Sequence, residues 1–228
     1  EGNTRGGMGV LAALNLERHP ALLCSIYTFG KAAGCHGAVI VSSKIVVEYL
    51  INYARPFVYS TALPPHSLTT IHCAYETMMG SIGERRRTHT FRLVRLFRDL
   101  CYRKVAGDSK DSESFLLPSP SPIQSVLVSG NERCIRIAQE LQWAGFDVHP
   151  IRSPTVPKGM ERIRIILHAH NTTEDVTLLV NTLADLLQED ETGGEGSIVK
   201  NNANIHTSNL GKSEDNHRKN TNLIMSRL

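Results

Sequence analysis

The chain has 228 residues, 41% of them hydrophobic, and a formal net charge of +3 at pH 7. That length supplies one or two cored domains, and so mild a charge does not mark nucleic acid as a partner. No apolar run approaches the ~20 residues of a membrane-spanning helix, so neither a nucleic-acid nor a membrane role is expected.

The chain begins at Glu1 with neither a methionine nor a charged-then-apolar leader, and it is expected to be part of a longer product. A glycine-bearing start (Gly2, Gly6, Gly7, Gly9) leads into a short helical pattern over residues 10–16. Residues 21–27 form an apolar run without polar alternation, the pattern of a buried strand in a parallel sheet. Residues 37–41 are a second such strand. Between them lies Thr28-Phe29-Gly30-Lys31-Ala32-Ala33-Gly34-Cys35-His36-Gly37. Glycine lets backbone come close to a ligand. A lysine held in such a loop can be desolvated and used as an amine nucleophile; the plainer alternative is a surface lysine on a Gly-rich turn. The Gly30-Lys31 pair is not a phosphate-binding P-loop, because Ser25 and Ala32 stand where that motif needs glycine and a hydroxyl residue.

Ser42-Ser43 offers an N-cap to a helix over Lys44–Tyr53, with Val46, Val47, Leu50 and Ile51 facing inward. Arg55-Pro56 ends it. Residues 57–59 read as extended and 60–65 as a loop, and proline at a helix start is compatible with a helix over Pro65–Met79. Residues 80–83 break the pattern. A basic helix follows over 84–104, with Arg85, Arg86, Arg87, Arg92, Arg95 and Arg98 on it and Phe91, Val94, Phe97 and Cys101 at helical spacing. Without aromatic residues interleaved for base stacking, it reads as a connecting helix with a solvated basic face.

The Pro- and Ser-rich residues 106–122 read as a linker between domains. Beyond it come a strand over 123–128, a helix capped by Asn131, running to Trp143 and stopped by Gly145, strands over 146–151 and 161–168, and a helix from Thr172 or Thr173 to about residue 188. From 189 the composition turns polar and reads as disordered. The chain ends Ser226-Arg227-Leu228, a variant of the S-K-L peroxisomal address, so a peroxisomal or cytoplasmic location is expected. The five cysteines are dispersed without a C-x-x-C pair, which suits reduced thiols. His168 and His170 share a strand face, but no metal is expected there.

Alternation along the Arg162–Ile166 stretch puts Ile163 and Ile165 on one face and Arg162 and Arg164 on the other. A guanidinium at Arg164 is suited to clamp a carboxylate. Just upstream, Pro154 and Pro157 stiffen a loop that carries Arg152 and Thr155. A rigid turn with two solvent arginines is the alternative.

Several stretches taken in order resemble the α-oxoamine synthases. They are Thr28-Phe29-Gly30-Lys31, Gly37-Ala38-Val39, the run from Asn52 to Pro65 (NYARPFVYSTALPP), Ile151-Arg152-Ser153-Pro154-Thr155-Val156-Pro157-Lys158-Gly159, and Arg162-Ile163-Arg164. The likeness covers residues 1–188. It implies an α/β enzyme of the aspartate-aminotransferase-like fold (fold type I) with pyridoxal 5'-phosphate as cofactor. Residues 1–105 would be the C-terminal part of the cofactor-binding large domain, 106–122 the linker, 123–188 the small domain and 189–228 the tail. Lys31 would link to the cofactor and move the substrate α-proton. Thr28 would bind the cofactor phosphate, and Ser60 and Thr61 would approach the phosphate of a neighbouring subunit, implying a homodimer. Arg164, Thr155 and Arg152 would bind substrate. The family joins an amino acid to an acyl-CoA with loss of carbon dioxide and coenzyme A, and the two loops favour the branch using L-alanine and pimeloyl-CoA in biotin synthesis. Other branches form aminolevulinate, aminoketobutyrate or ketosphinganine. The family's pyridine-pairing aspartate and its neighbouring histidine fall before Glu1. The chain is therefore expected to be an N-terminally incomplete copy, with a sheet edge exposed and doubtful activity alone. The alternative is a non-catalytic paralogue that pairs with a complete subunit.

Overall fold

The computed structural model describes residues 7–105 and 115–192. The chain divides into two compact units, residues 1–88 and 89–228. The first contains α1 (Val10–Ala13), β1 (Cys24–Thr28), β2 (Ala38–Ser42), α2 (Lys44–Tyr53), α3 (Arg55–Val58), α4 (Pro65–Met79) and the start of α5 (Ser81–Lys104).

The two apolar runs of this unit do not lie in a parallel sheet. They form an antiparallel pair, Cys24 opposite Ser42 and Thr28 opposite Ala38, and among the described residues they pair only with each other. The reason is the connection: residues 29–37 are too few for the crossover of a dozen or more residues that parallel strands require. Nor are the strands buried, for Ile26 is 64% and Val41 54% exposed. Among the described residues of this unit, the buried apolar side chains are Ala12 and Phe29.

The helix α2 has the expected bounds, with Val46, Val47 and Leu50 half-buried, but Ile51 is exposed. The stretch 57–59, expected to be extended, instead closes the short helix α3, with Tyr59 as its C-cap residue. Pro56 lies at its start, where no amide donor is needed, and the Ala54 carbonyl accepts from the amides of Phe57 and Val58, both at 2.9 Å. Gly80, in extended conformation, ends α4, and α5 restarts at once. Gly83 therefore lies inside α5. A Cβ there would sit 2.2 Å from the carbonyl oxygen of Met78, so the two helix ends approach this closely only because residue 83 has no side chain.

The second unit holds a single core. The latter part of α5 contributes Leu93, Val94, Phe97 and Cys101 to it. Its sheet has β3 (Ile123–Leu127), β4 (His149–Ile151) and β5 (Arg162–Ile166) in the order β3-β5-β4, all antiparallel. The helices α6 (Asn131–Trp143) and α7 (Thr173–Thr192) complete it, with Ile137, Leu141, Leu179 and Leu183 buried against Val126, Ile163 and Ile165. A Thr172–Asp175 capping box starts α7: each residue's amide donates to the other's side chain, at 3.0 and 3.1 Å.

Four expectations are corrected here. The division between units falls inside α5, at Thr88 and His89, rather than in the Pro/Ser stretch, because the helix's apolar face belongs to the second unit's core. Residues 115–122 are not a free linker: Leu116 is buried and bridges to Val126, and the Leu117 amide donates to Ser125 O at 3.0 Å. Arg98 is not merely solvated. Its Nη1 donates to the Leu117 carbonyl at 3.1 Å and to Oε1 of the buried Gln124 at 2.9 Å. Asn131 does not cap α6; Gly130, at φ 98°, is the N-cap residue, and Asn131 bonds elsewhere. In addition α7 runs past residue 188. Asp190 pairs with Arg133 and Arg136 of α6, which holds that last turn. The remainder of the tail, with Ser226-Arg227-Leu228, lies outside the described residues.

Candidate active-site elements

The first unit carries Thr28, Lys31, Ser60 and Thr61. Thr28 is the last residue of β1, and Lys31 stands on the loop that joins β1 to β2. That loop is tightly built. The Phe29 amide donates to Gly37 O at 2.9 Å, the Cys35 amide to Phe29 O at 2.8 Å, and the Gly34 amide to Lys31 O at 2.9 Å. Phe29 is buried beneath it and meets Tyr75 of α4 edge-on, ring centroids 6.2 Å apart. Gly37 takes φ 104°, and a Cβ on it would be 3.1 Å from Cδ1 of Leu63. The close approach at Gly37 seats the Ser60–Thr61 loop, through Leu63, beside the loop that carries Lys31. Thus the four residues are brought to adjoining loops of one unit. All four side chains are exposed. The desolvation that a lysine in this loop could have is therefore not seen at Lys31.

The second unit carries Arg152, Thr155 and Arg164. Arg164 sits in the central strand, between Ser125 of β3 and His149 of β4. The expected alternation holds: Ile163 and Ile165 are fully buried, and Arg164 is half-buried on the opposite face. Its Nε is buried and has no hydrogen-bond partner among the described residues. A buried donor left unpaired costs about 1–3 kcal/mol, which an acceptor such as a carboxylate would recover. Arg152 follows directly on β4, and Thr155 lies further along the same loop; both are exposed.

One residue of this unit escaped the sequence reading. Glu161, just before β5, is 1% exposed. Its Oε2 accepts from the Gly130 amide at 3.0 Å and from the Gly159 amide at 2.9 Å. The Gly130 bond foremost, then its own backbone amide and that of Gly159, hold its carboxyl below the usual range against the opposing pull of burial; Lys158 adds to the effect. A lone acid flanking a strand gives no local signal, because one of its partners is 31 residues away.

An α/β enzyme portion of fold type I is what these elements describe. The sequence profile of the aminotransferase class I and II family matches residues 3–183, and the chain belongs to that family. Within it the chain falls among the α-oxoamine synthases. It is 37% identical over 187 residues to an 8-amino-7-oxononanoate synthase from Emericella nidulans, covering 81% of this chain and 43% of that one. The solved 8-amino-7-oxononanoate synthase from Francisella tularensis shares the fold, with a TM-score of 0.68 and 24% identity over 82% of this chain and 51% of that one. A solved serine palmitoyltransferase from Sphingomonas wittichii also has a TM-score of 0.68, at 25% identity, covering 83% of this chain and 44% of that one. The chain spans less than half the length of the curated relatives it matches.

The family's cofactor is pyridoxal phosphate. The donor set of the first unit fits it: a primary amine at Lys31 for an aldehyde, and hydroxyls at Thr28, Ser60 and Thr61 for a phosphate. Neither the Lys31 amine nor the Thr28 hydroxyl is engaged by another described group.

Proposed function

We propose that this chain is the lysine-bearing portion of an 8-amino-7-oxononanoate synthase, in which L-alanine condenses with pimeloyl-CoA, releasing carbon dioxide and coenzyme A, in biotin synthesis. The observation that carries this reading is the 37% identity to the Emericella nidulans enzyme over most of the chain. Pyridoxal phosphate, when bound, supplies the electron sink for breaking bonds at the amino-acid α-carbon. Lys31 holds the cofactor through its amine and moves the proton at the substrate α-carbon. The Thr28 hydroxyl donates to the cofactor phosphate. Ser60 and Thr61 serve the same group in a second subunit, so the working unit is a homodimer. Arg164 pairs with the substrate carboxylate, with Thr155 and Arg152 as further substrate contacts. A peroxisomal location read from Ser226-Arg227-Leu228, with the cytoplasm as the alternative, is part of the same proposal. A reporter carrying residues 217–228 that stays cytosolic would remove that last element.

Borohydride reduction of the chain incubated with pyridoxal phosphate, followed by peptide mapping, tests the core of the reading. Label is expected on Lys31 and is expected to vanish in Lys31→Ala. Equal trapping by the variant rules out the assignment. The serine palmitoyltransferase likeness favours a second reading in another branch of the family, the one that forms ketosphinganine. Turnover with serine and palmitoyl-CoA, and none with alanine and pimeloyl-CoA, would select it.

A further inference from the structure

The residues that join β4 to β5 are long enough to wander, yet they are tied at several points to one neighbouring segment. Ser129 Oγ donates to Gly159 O at 2.9 Å. The Ser153 amide donates to Asn131 Oδ1 at 3.2 Å. Inside the loop, the Val156 amide donates to Arg152 O at 3.3 Å and the Met160 amide to Pro157 O at 3.0 Å. The central tie is Glu161, one of whose oxygens receives the amides of both Gly130 and Gly159. Those two glycines take φ 98° and 87°, a region that side-chain-bearing residues avoid. Both amides therefore point at one carboxylate only because residues 130 and 159 are glycine. The Val128 amide in turn donates to Glu161 O at 2.9 Å, so backbone and side chain of Glu161 grip the same segment. Glu161 itself is buried, while Arg152 and Thr155 face solvent.

We infer that Glu161 is the positioning residue of the loop 152–159: it fixes where Arg152 and Thr155 stand, and through them sets the affinity for substrate without touching it. This rests on the functional reading above, in which that loop contacts substrate. Removing a charge-assisted bond to two amides frees one end of the loop while the Ser129 and Asn131 ties remain, so the unit stays folded and only the loop loosens. The carboxamide of Gln keeps an oxygen acceptor but not the charge, so it is an intermediate case.

The test uses the whole 228-residue chain as wild type, Glu161→Ala and Glu161→Gln. Two quantities are measured: amide hydrogen exchange of peptides covering 129–131 and 152–160, and the Kd for pimeloyl-CoA by calorimetry. In Glu161→Ala, exchange in 152–160 is expected to speed up about tenfold and Kd to rise about tenfold. Peptides from α7 should stay unchanged, and Glu161→Gln should fall between. Unchanged loop exchange in Glu161→Ala overturns the positioning role, whatever the chain binds. Faster exchange with an unchanged Kd overturns the link to substrate. Absence of pimeloyl-CoA binding by the wild-type chain overturns the reading that loop 152–159 of this chain contacts that substrate, and the exchange result still decides the anchoring.

Discussion

Arg87 donates through Nη1 to the backbone carbonyl of Met78 at 2.5 Å. This is one of the orphan carbonyls that every helix C-terminus leaves, and the guanidinium that satisfies it is supplied by the next helix. Arg87 also meets Glu84 at 2.7 Å and lies over Gly7, where a Cβ would approach Nη1 to 2.8 Å. An arginine in a basic run is here a cap for α4. Arg87→Ala is expected to destabilise the first unit by about 1–3 kcal/mol through the unpaired carbonyl, with Arg85→Ala close to neutral because Arg85 is exposed. Hydrogen exchange at the C-terminal turn of α4 reads the local effect, and equal protection in the two variants would contradict it.

The same junction makes Gly83 intolerant of substitution. Gly83→Ala sets a methyl against the Met78 carbonyl at 2.2 Å, so backbone must move. A cost of about 1–3 kcal/mol is expected from overpacking, read as a lowered urea midpoint for the first unit.

Phe97 is fully buried in the second unit's core. Phe97→Ala should cost about 3–5 kcal/mol in equilibrium urea unfolding, the sum of lost transfer energy and a residual cavity. Arg95→Ala, on the exposed side of the same helix, should stay within about 0.5 kcal/mol. Similar losses for the two would mean that α5 does not belong to that core.

Glu161 makes stability pH-dependent with a definite sign. Its folded-state carboxyl is held below the ordinary value by the Gly130 amide foremost. Its contribution is therefore present above the unfolded carboxylate range of about pH 4.3 and is lost as pH falls through the lower folded value. The stability gap between wild type and Glu161→Gln should be constant from pH 8 to about pH 5 and should shrink in more acid solution. A gap that widens on acidification would reverse the sign.

Thiol reactivity should follow burial. Cys73 is exposed, whereas Cys101 and Cys134 are buried. Burial pushes the Cys101 thiol up to about 12, with Arg98 acting weakly the other way. Since the thiolate is the reacting form, brief treatment with iodoacetamide should label Cys73 first and leave Cys101 and Cys134 unmodified until denaturant is added. Early labelling of Cys101 in native buffer would show that the core opens readily.

Much of this protein was legible locally. Helices over Lys44–Tyr53, Pro65–Met79 and Asn131–Trp143 lie close to where prolines, glycines and apolar spacing indicate, although neither Ser43 nor Asn131 caps its helix through its side chain, because such signals act within a turn or two of chain. The alternation that buries Ile163 and Ile165 and turns Arg164 the other way is likewise a property of the strand alone. The Gly-Lys loop and the Pro-Thr-Val-Pro loop could be singled out because their residue types are unusual where they stand.

What the sequence did not contain in readable form was pairing at a distance. Apolar runs over 21–27 and 37–41 look the same whether their strands run parallel and buried or, as here, antiparallel and open; the short connection between them decides. An arginine run looks solvated until tertiary contacts engage Arg87 at a helix end and Arg98 at a buried glutamine. Glu161 acquires its role only when folding brings Gly130 and Gly159, at the positive φ angles that glycine permits, to a single carboxylate oxygen. Composition and spacing determine which elements form and which residues carry reactive groups. Only the tertiary structure determines which charges find partners, because a hydrogen bond depends on distances of about 3 Å between groups that the chain keeps far apart in order.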